Sequence, residues 1–176
     1  MTLAFETIVG ADMGAEVKAS LVHELAAAAG SSGMVAGQAA DLAFFASADL
    51  DELDIAFVHA HKTAALVKAS ARMGAVCARA SAEQIDCLGR YGHSLGMAFQ
   101  IADDILDVER SQDGVGKDVG KDAALRRPSY AVRFGPEAAR ARLKQWTASA
   151  VGEMSGFGRR AHVLVELAEE LATRSA

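Results

Sequence analysis

The chain has little with which to break or staple a backbone: two prolines and two cysteines in 176 residues. Proline-poor and only 6% aromatic, it lacks the turn and ring-bearing strand residues of a sheet sandwich, and helices are expected instead. Cys77 and Cys87 show neither CxxC spacing nor a nearby histidine, so neither a disulfide framework nor a zinc site is supported. A reducing cytoplasm fits two such thiols best. Positive charge is also short. The formal net charge is −5, which leaves nucleic-acid binding without an electrostatic footprint. No apolar run reaches the roughly 18 residues of a membrane span. Residues 1–20 lack a basic start followed by a long apolar core, so no signal peptide is expected.

What remains is a composition 51% hydrophobic and 23% charged, rich in alanine, as in ordinary globular domains. Its length suffices for one domain with a substantial core. The spacing predicts helices over 2–9, 15–29 and 34–45. After an acidic start at 47–54, a long helix runs to about Arg79, with Ile55, Val58, Leu66, Met73 and Val76 as one stripe. Ser81-Ala82-Glu83-Gln84 matches a capping box at the head of another helix. Gly135-Pro136 opens a further one, and a last helix covers about Phe157 to Thr173. No segment alternates with period two for long, and no tandem repeat is visible. The expectation is an all-α fold with residues 1–176 as a single helical domain.

Chemistry concentrates in Phe99-Gln100-Ile101-Ala102-Asp103-Asp104-Ile105-Leu106-Asp107. Three carboxylates stand in an apolar run with no Gly or Pro from 97 to 110. On a helix, Asp103 and Asp107 share one face a turn apart, while Asp104 points about 100° away. Like charges so placed repel, and carboxylates among Ile, Leu and Phe resist burial. A hard cation such as Mg²⁺ removes both objections. The plain alternative is an amphipathic helix whose acids merely face solvent. Directly after comes Asp113-Gly114-Val115-Gly116-Lys117-Asp118-Val119-Gly120-Lys121-Asp122, a Gly-punctuated loop with lysines. Glycine lets backbone approach a ligand and lysine supplies point charge for phosphate. Acid followed by such a loop is the order expected around a metal-bridged diphosphate.

Taken together, these segments resemble the trans-isoprenyl diphosphate synthases, or polyprenyl synthetases, of the farnesyl diphosphate synthase type. Phe99 to Asp107 resembles that family's second aspartate-rich motif, and Gly116 to Asp122 its GKxxGxD loop. Arg127-Pro128-Ser129-Tyr130 resembles the K-x-T-Y/W segment, with Arg in the usual Lys position. His61-Lys62-Thr63 matches the HKT element, Gly33 to Leu42 resembles GMxxGQxxDL, and Thr2 to Glu6 resembles the end of GDxLLTLAFE. The match runs nearly end to end and in order.

The resemblance implies an antiparallel isoprenoid-synthase-type bundle and head-to-tail prenyl transfer between an allylic diphosphate and isopentenyl diphosphate, with Mg²⁺. By position, Asp103 would contact the metal, with Asp104 and Asp107 in its shell or bound through water. Lys62 and Thr63 would hold the allylic diphosphate, and Gln100 would hydrogen-bond near the reacting carbon or the diphosphate. Lys117 would close on the diphosphate, and Arg127 would stand in for a second lysine, its planar fork favouring bidentate oxygens. Gln38 and Asp41 would brace the HKT helix. The family's first DDxxD has no counterpart before Gln100, so the chain reads as an N-terminally truncated, C-terminal three-fifths. Alone it is expected to bind Mg²⁺ weakly and turn over little. Apolar faces left open would then be covered by a second copy, as a homodimer, or by a partner chain. A non-catalytic subunit of a full-length synthase is the alternative, and a cyclase-like protein a weaker third.

Overall fold

The computed structural model describes residues 1–44, 50–113 and 129–173. Every regular element among them is helical, in the order α1 Thr2–Gly10, α2 Ala15–Ala29, α3 Met34–Phe44 and α4 Glu52–His59, then a π-helical turn Ala60–Ala64. There follow α5 Ala65–Cys77, α6 Ala82–Asp113, α7 Tyr130–Phe134, α8 Pro136–Glu153, a 3₁₀ segment Ser155–Ala161 and α9 His162–Thr173. The expected all-α class stands.

Local chemistry explains the starts and stops. Asp51 caps α4 by accepting from the Asp54 amide at 2.9 Å, while Asp54 accepts from the Asp51 amide at 3.2 Å. Ser81 and Gln84 make the same reciprocal pair at the head of α6, at 3.2 and 3.0 Å. Two orphan amides are satisfied at each helix start. Pro136 stands in the first turn of α8, where its missing N–H costs nothing. Ser129 caps α7 by accepting from Val132.

The 32-residue α6 is the axle. It packs against α8 on one side and α5 on the other, α2 lies outside α5, and α9 covers α8. Three clusters make the core. Ile55, Ala98, Ile101, Ile105, Tyr130 and Leu143 join α4, α6, α7 and α8. Tyr91, Ala150 and Ala168 join α6, α8 and α9, with the Tyr91 hydroxyl donating to the Leu164 carbonyl at 2.8 Å. Ile8, Leu21 and Leu25 pack with Leu66, Met73 and Val76. Fully burying one such aliphatic side chain stabilises by about 1.5–3 kcal/mol.

Two expectations need correction. The single stripe expected along a helix reaching Arg79 is split: Ile55 faces the α6–α8 core, whereas Leu66, Met73 and Val76 face α2. The π turn between them adds backbone per turn and rotates α5 relative to α4, which a 3.6-residue pattern does not register. The last helix also starts later, because Phe157 to Ala161 wind as 3₁₀ around Gly158 at φ 56°.

Apolar side chains stand exposed on the outer faces of α1 and α3, among them Leu3, Val9, Val35 and Leu42. No helix among the described residues is long and apolar enough to cross a membrane.

Candidate functional site

The site begins at the π turn, Ala60-His61-Lys62-Thr63-Ala64. Such turns are rare and recur at functional positions. Here two glycines admit it. A Cβ on Gly37 of α3 would lie 2.1 Å from the Lys62 backbone nitrogen, and one on Gly96 of α6 would lie 2.5 Å from the Ala64 Cα. The turn is therefore clamped backbone to backbone between two helices, which holds its side chains in place.

From this clamp Lys62 Nζ donates to Asp41 Oδ2 on α3 at 2.7 Å, with the lysine about one-third exposed. The Thr63 hydroxyl donates to Gln100 Oε1 on α6 at 2.8 Å. Gln100 begins a stripe at i, i+3, i+7 that continues through Asp103 and Asp107, both exposed on the same face of α6. Asp103 titrates above its ordinary range. Partial burial is the main cause, followed by repulsion from Asp107 and then Asp104, while Arg110 and Lys62 pull it back. The link between the basic turn and the acidic helix is the Thr63–Gln100 hydrogen bond.

Asp104 is oriented differently. It is buried at 7% exposure, and its Oδ2 accepts from the Tyr130 amide at 2.6 Å. The same oxygen lies 3.4 Å from His59 Nε2. That nitrogen is buried with no aligned hydrogen-bond partner among the described residues; the contact is close but not directed.

Thr63 is therefore brought to the face of α6 that carries Gln100, Asp103 and Asp107, and Asp104 lies off that face. Lys117 and Arg127, with the Gly116 to Asp122 loop, lie outside the described residues. Asp41 does reach Lys62, whereas Gln38 is exposed. His59, which no motif singles out, is 2% exposed. The signal was present, since His59 follows buried Ile55 by one turn. His61 instead bonds the Phe57 carbonyl and stacks on the Phe57 ring at 4.0 Å.

Among the described residues no three His, Cys, Asp or Glu side chains converge as a metal cage. Two carboxylates one turn apart, one of them resisting ionisation, still fit Mg²⁺, which commonly takes one or two carboxylates and completes its shell with water and phosphate oxygens. Phe99, Leu95, Val67, Leu167 and Leu171, with Glu170, line a largely apolar cavity of about 460 Å³.

The chain belongs to the polyprenyl synthetase family, whose profile matches residues 2–156. It is 34% identical to a chloroplastic geranylgeranyl pyrophosphate synthase of Capsicum annuum, over 99% of this chain and 48% of that protein. It is 34% identical to the large subunit 2 of a heterodimeric geranylgeranyl pyrophosphate synthase of Arabidopsis thaliana, over 99% and 47%. A crystal structure of a Helicobacter pylori geranyltransferase with magnesium and isoprenyl diphosphate superposes with a TM-score of 0.79 at 29% identity, over 97% of this chain and 55% of that one. The chain thus spans about half the length of the curated relatives it matches.

Proposed function

We propose that this chain provides the diphosphate-holding side of a Mg²⁺-dependent prenyltransferase, which condenses an allylic diphosphate with isopentenyl diphosphate in isoprenoid biosynthesis. The observation carrying this reading is the Thr63–Gln100 hydrogen bond, which ties the basic turn to the acidic stripe across 37 residues of sequence. In the reaction the allylic C–O bond breaks and pyrophosphate leaves with the electron pair. The alkene of isopentenyl diphosphate supplies the electrons of the new C–C bond, and a proton then passes to the departing pyrophosphate. Bound Mg²⁺ would supply the charge neutralisation such a leaving group needs.

The chain's own residues would do the rest. Asp103 and Asp107 would hold the ion. Lys62, with one proton on Asp41, keeps two for phosphate oxygens. Gln100 gives its carbonyl to Thr63 and retains its NH₂ as a donor. Lys117 and Arg127 would add cationic charge on the strength of the family motif. The largely apolar cavity lined by Phe99 and Leu95 suits a hydrocarbon tail. Cys77 and Cys87, both free, support a reducing compartment such as the cytoplasm.

Titration calorimetry of the 176-residue chain with geranyl diphosphate tests the reading. Binding is expected with Mg²⁺ and not with EDTA, and Lys62→Ala should weaken it about tenfold or more, the scale of one charge-assisted bond. Equal heats with and without metal, or with and without Lys62, would overturn it.

We further infer that the exposed apolar faces of α1 and α3 meet a second copy or a partner chain. Light scattering of the purified chain should then report a mass above one protomer, or a monomer that shifts on adding a full-length synthase. A monomer inert to that addition would count against it.

A further inference from the structure

We infer that Asp104 is a positioning residue that anchors the backbone at Tyr130 and is not a ligand of the metal, leaving Asp103 and Asp107 as the metal face. The inference deepens the proposed function and rests on it only for the metal. Three neighbouring acids in one motif have divergent surroundings. Asp103 and Asp107 are exposed, whereas Asp104, one residue further around the helix, is 7% exposed. An ionised carboxylate at that depth persists only when paired and hydrogen-bonded.

Its partner is a backbone amide. Tyr130 is the first residue of α7, so its N–H has no carbonyl within the helix to meet. Asp104 Oδ2 takes that proton at 2.6 Å, a short bond of the charge-assisted kind. His59 Nε2 faces the same oxygen at 3.4 Å from the buried side of α4. The helices that meet there contribute Ile55, Ile101, Ile105, Tyr130 and Ala131 to one core cluster. Mg²⁺ keeps several waters around it. At 7% exposure, with Oδ2 held by the Tyr130 amide and crowded by the His59 ring, Asp104 is far less open to such a shell than the exposed Asp103 and Asp107.

Around the anchor, α7 is fastened twice more, by Arg133 Nε donating to the Leu50 carbonyl at 2.9 Å and by the Tyr130 hydroxyl near Glu52 at 3.4 Å. Asp104 ties α7 to the acidic helix itself. The turn of α6 that offers Asp103 to solvent thus also fixes where α7 begins.

Amide hydrogen exchange at Tyr130 and Mg²⁺ titration in the presence of geranyl diphosphate test this together. Asp104→Asn keeps an acceptor oxygen and removes the charge. It should leave Tyr130 protection within about threefold and the apparent Mg²⁺ affinity within about threefold. Asp104→Ala should cost Tyr130 at least tenfold in protection. Asp103→Asn should do the reverse, sparing Tyr130 and weakening Mg²⁺ at least tenfold. Should Asp104→Ala fail to fold, the asparagine variant still decides. Mg²⁺ binding lost in Asp104→Asn as in Asp103→Asn, or Tyr130 protection that ignores Asp104→Ala, overturns the inference. If the wild-type chain binds no Mg²⁺ with the diphosphate, the proposed function fails while the exchange arm still reports on the anchor.

Discussion

Replacing Asp103 by asparagine is expected to stabilise the metal-free protein at neutral pH and to weaken Mg²⁺-dependent capture of geranyl diphosphate by about 10- to 100-fold, the loss of one charge-assisted contact. The two effects have one cause. Burial first, then Asp107 and Asp104, hold the folded pKa of Asp103 above its ordinary 3.8. Between 3.8 and that raised value the folded chain holds more of this proton than the unfolded one. Stability therefore falls as pH rises through the window and stays lower above it. Asparagine removes this penalty and, with it, the charge a cation would use. Urea unfolding of both proteins without metal should give coincident stabilities below pH 3.8, with the variant ahead at neutral pH. A variant less stable at neutral pH would show that Asp103 is satisfied within the chain and in no need of a cation. Sites that trade stability for function behave this way.

Gly96→Ala is expected to produce a large destabilisation for the addition of one methyl. Its Cβ would fall 2.5 Å from the Ala64 Cα and 2.8 Å from the Ala64 Cβ, so neither neighbour is the flexible end of a side chain. Overpacking of this kind costs about 1–3 kcal/mol or more, a fall of about 3–10 °C in melting temperature at this chain length. Helices α5 and α6 must part at the π turn, so the Thr63–Gln100 bond should loosen too. Gly74→Ala is the internal control. It lies in α5 with nothing within 4 Å of its added methyl, and helix propensity alone should leave it neutral or up to about 1 kcal/mol more stable. Thermal unfolding of the pair decides: equal melting temperatures would mean the clamp around the turn is slack.

Much of the helical plan was legible locally. The capping box at Ser81, the Pro136 start and the bounds of α2 follow from interactions spanning three or four residues, which the chain carries in linear order. The carboxylate stripe was equally legible, because helical phase alone puts Asp103 and Asp107 on one face and Asp104 off it. The split of the stripe after Val58 was not, since a π turn is paid for by tertiary contact with Gly37 and Gly96, residues distant from it along the chain. Beyond its place one turn after Ile55, the burial of His59 was not legible either, since it depends on α6 and α7 arriving on its side of α4.

Helical periodicity thus suffices for an all-helical chain, and the order of its short motifs for the resemblance to its family. These depend on side-chain chemistry and on repeats within a few residues. Which carboxylate faces solvent and which one grips a backbone amide depends on where a helix 26 residues downstream comes to rest. Only packing sets that position, because the free energy of a buried charge is decided by its neighbours in space and not by those in sequence.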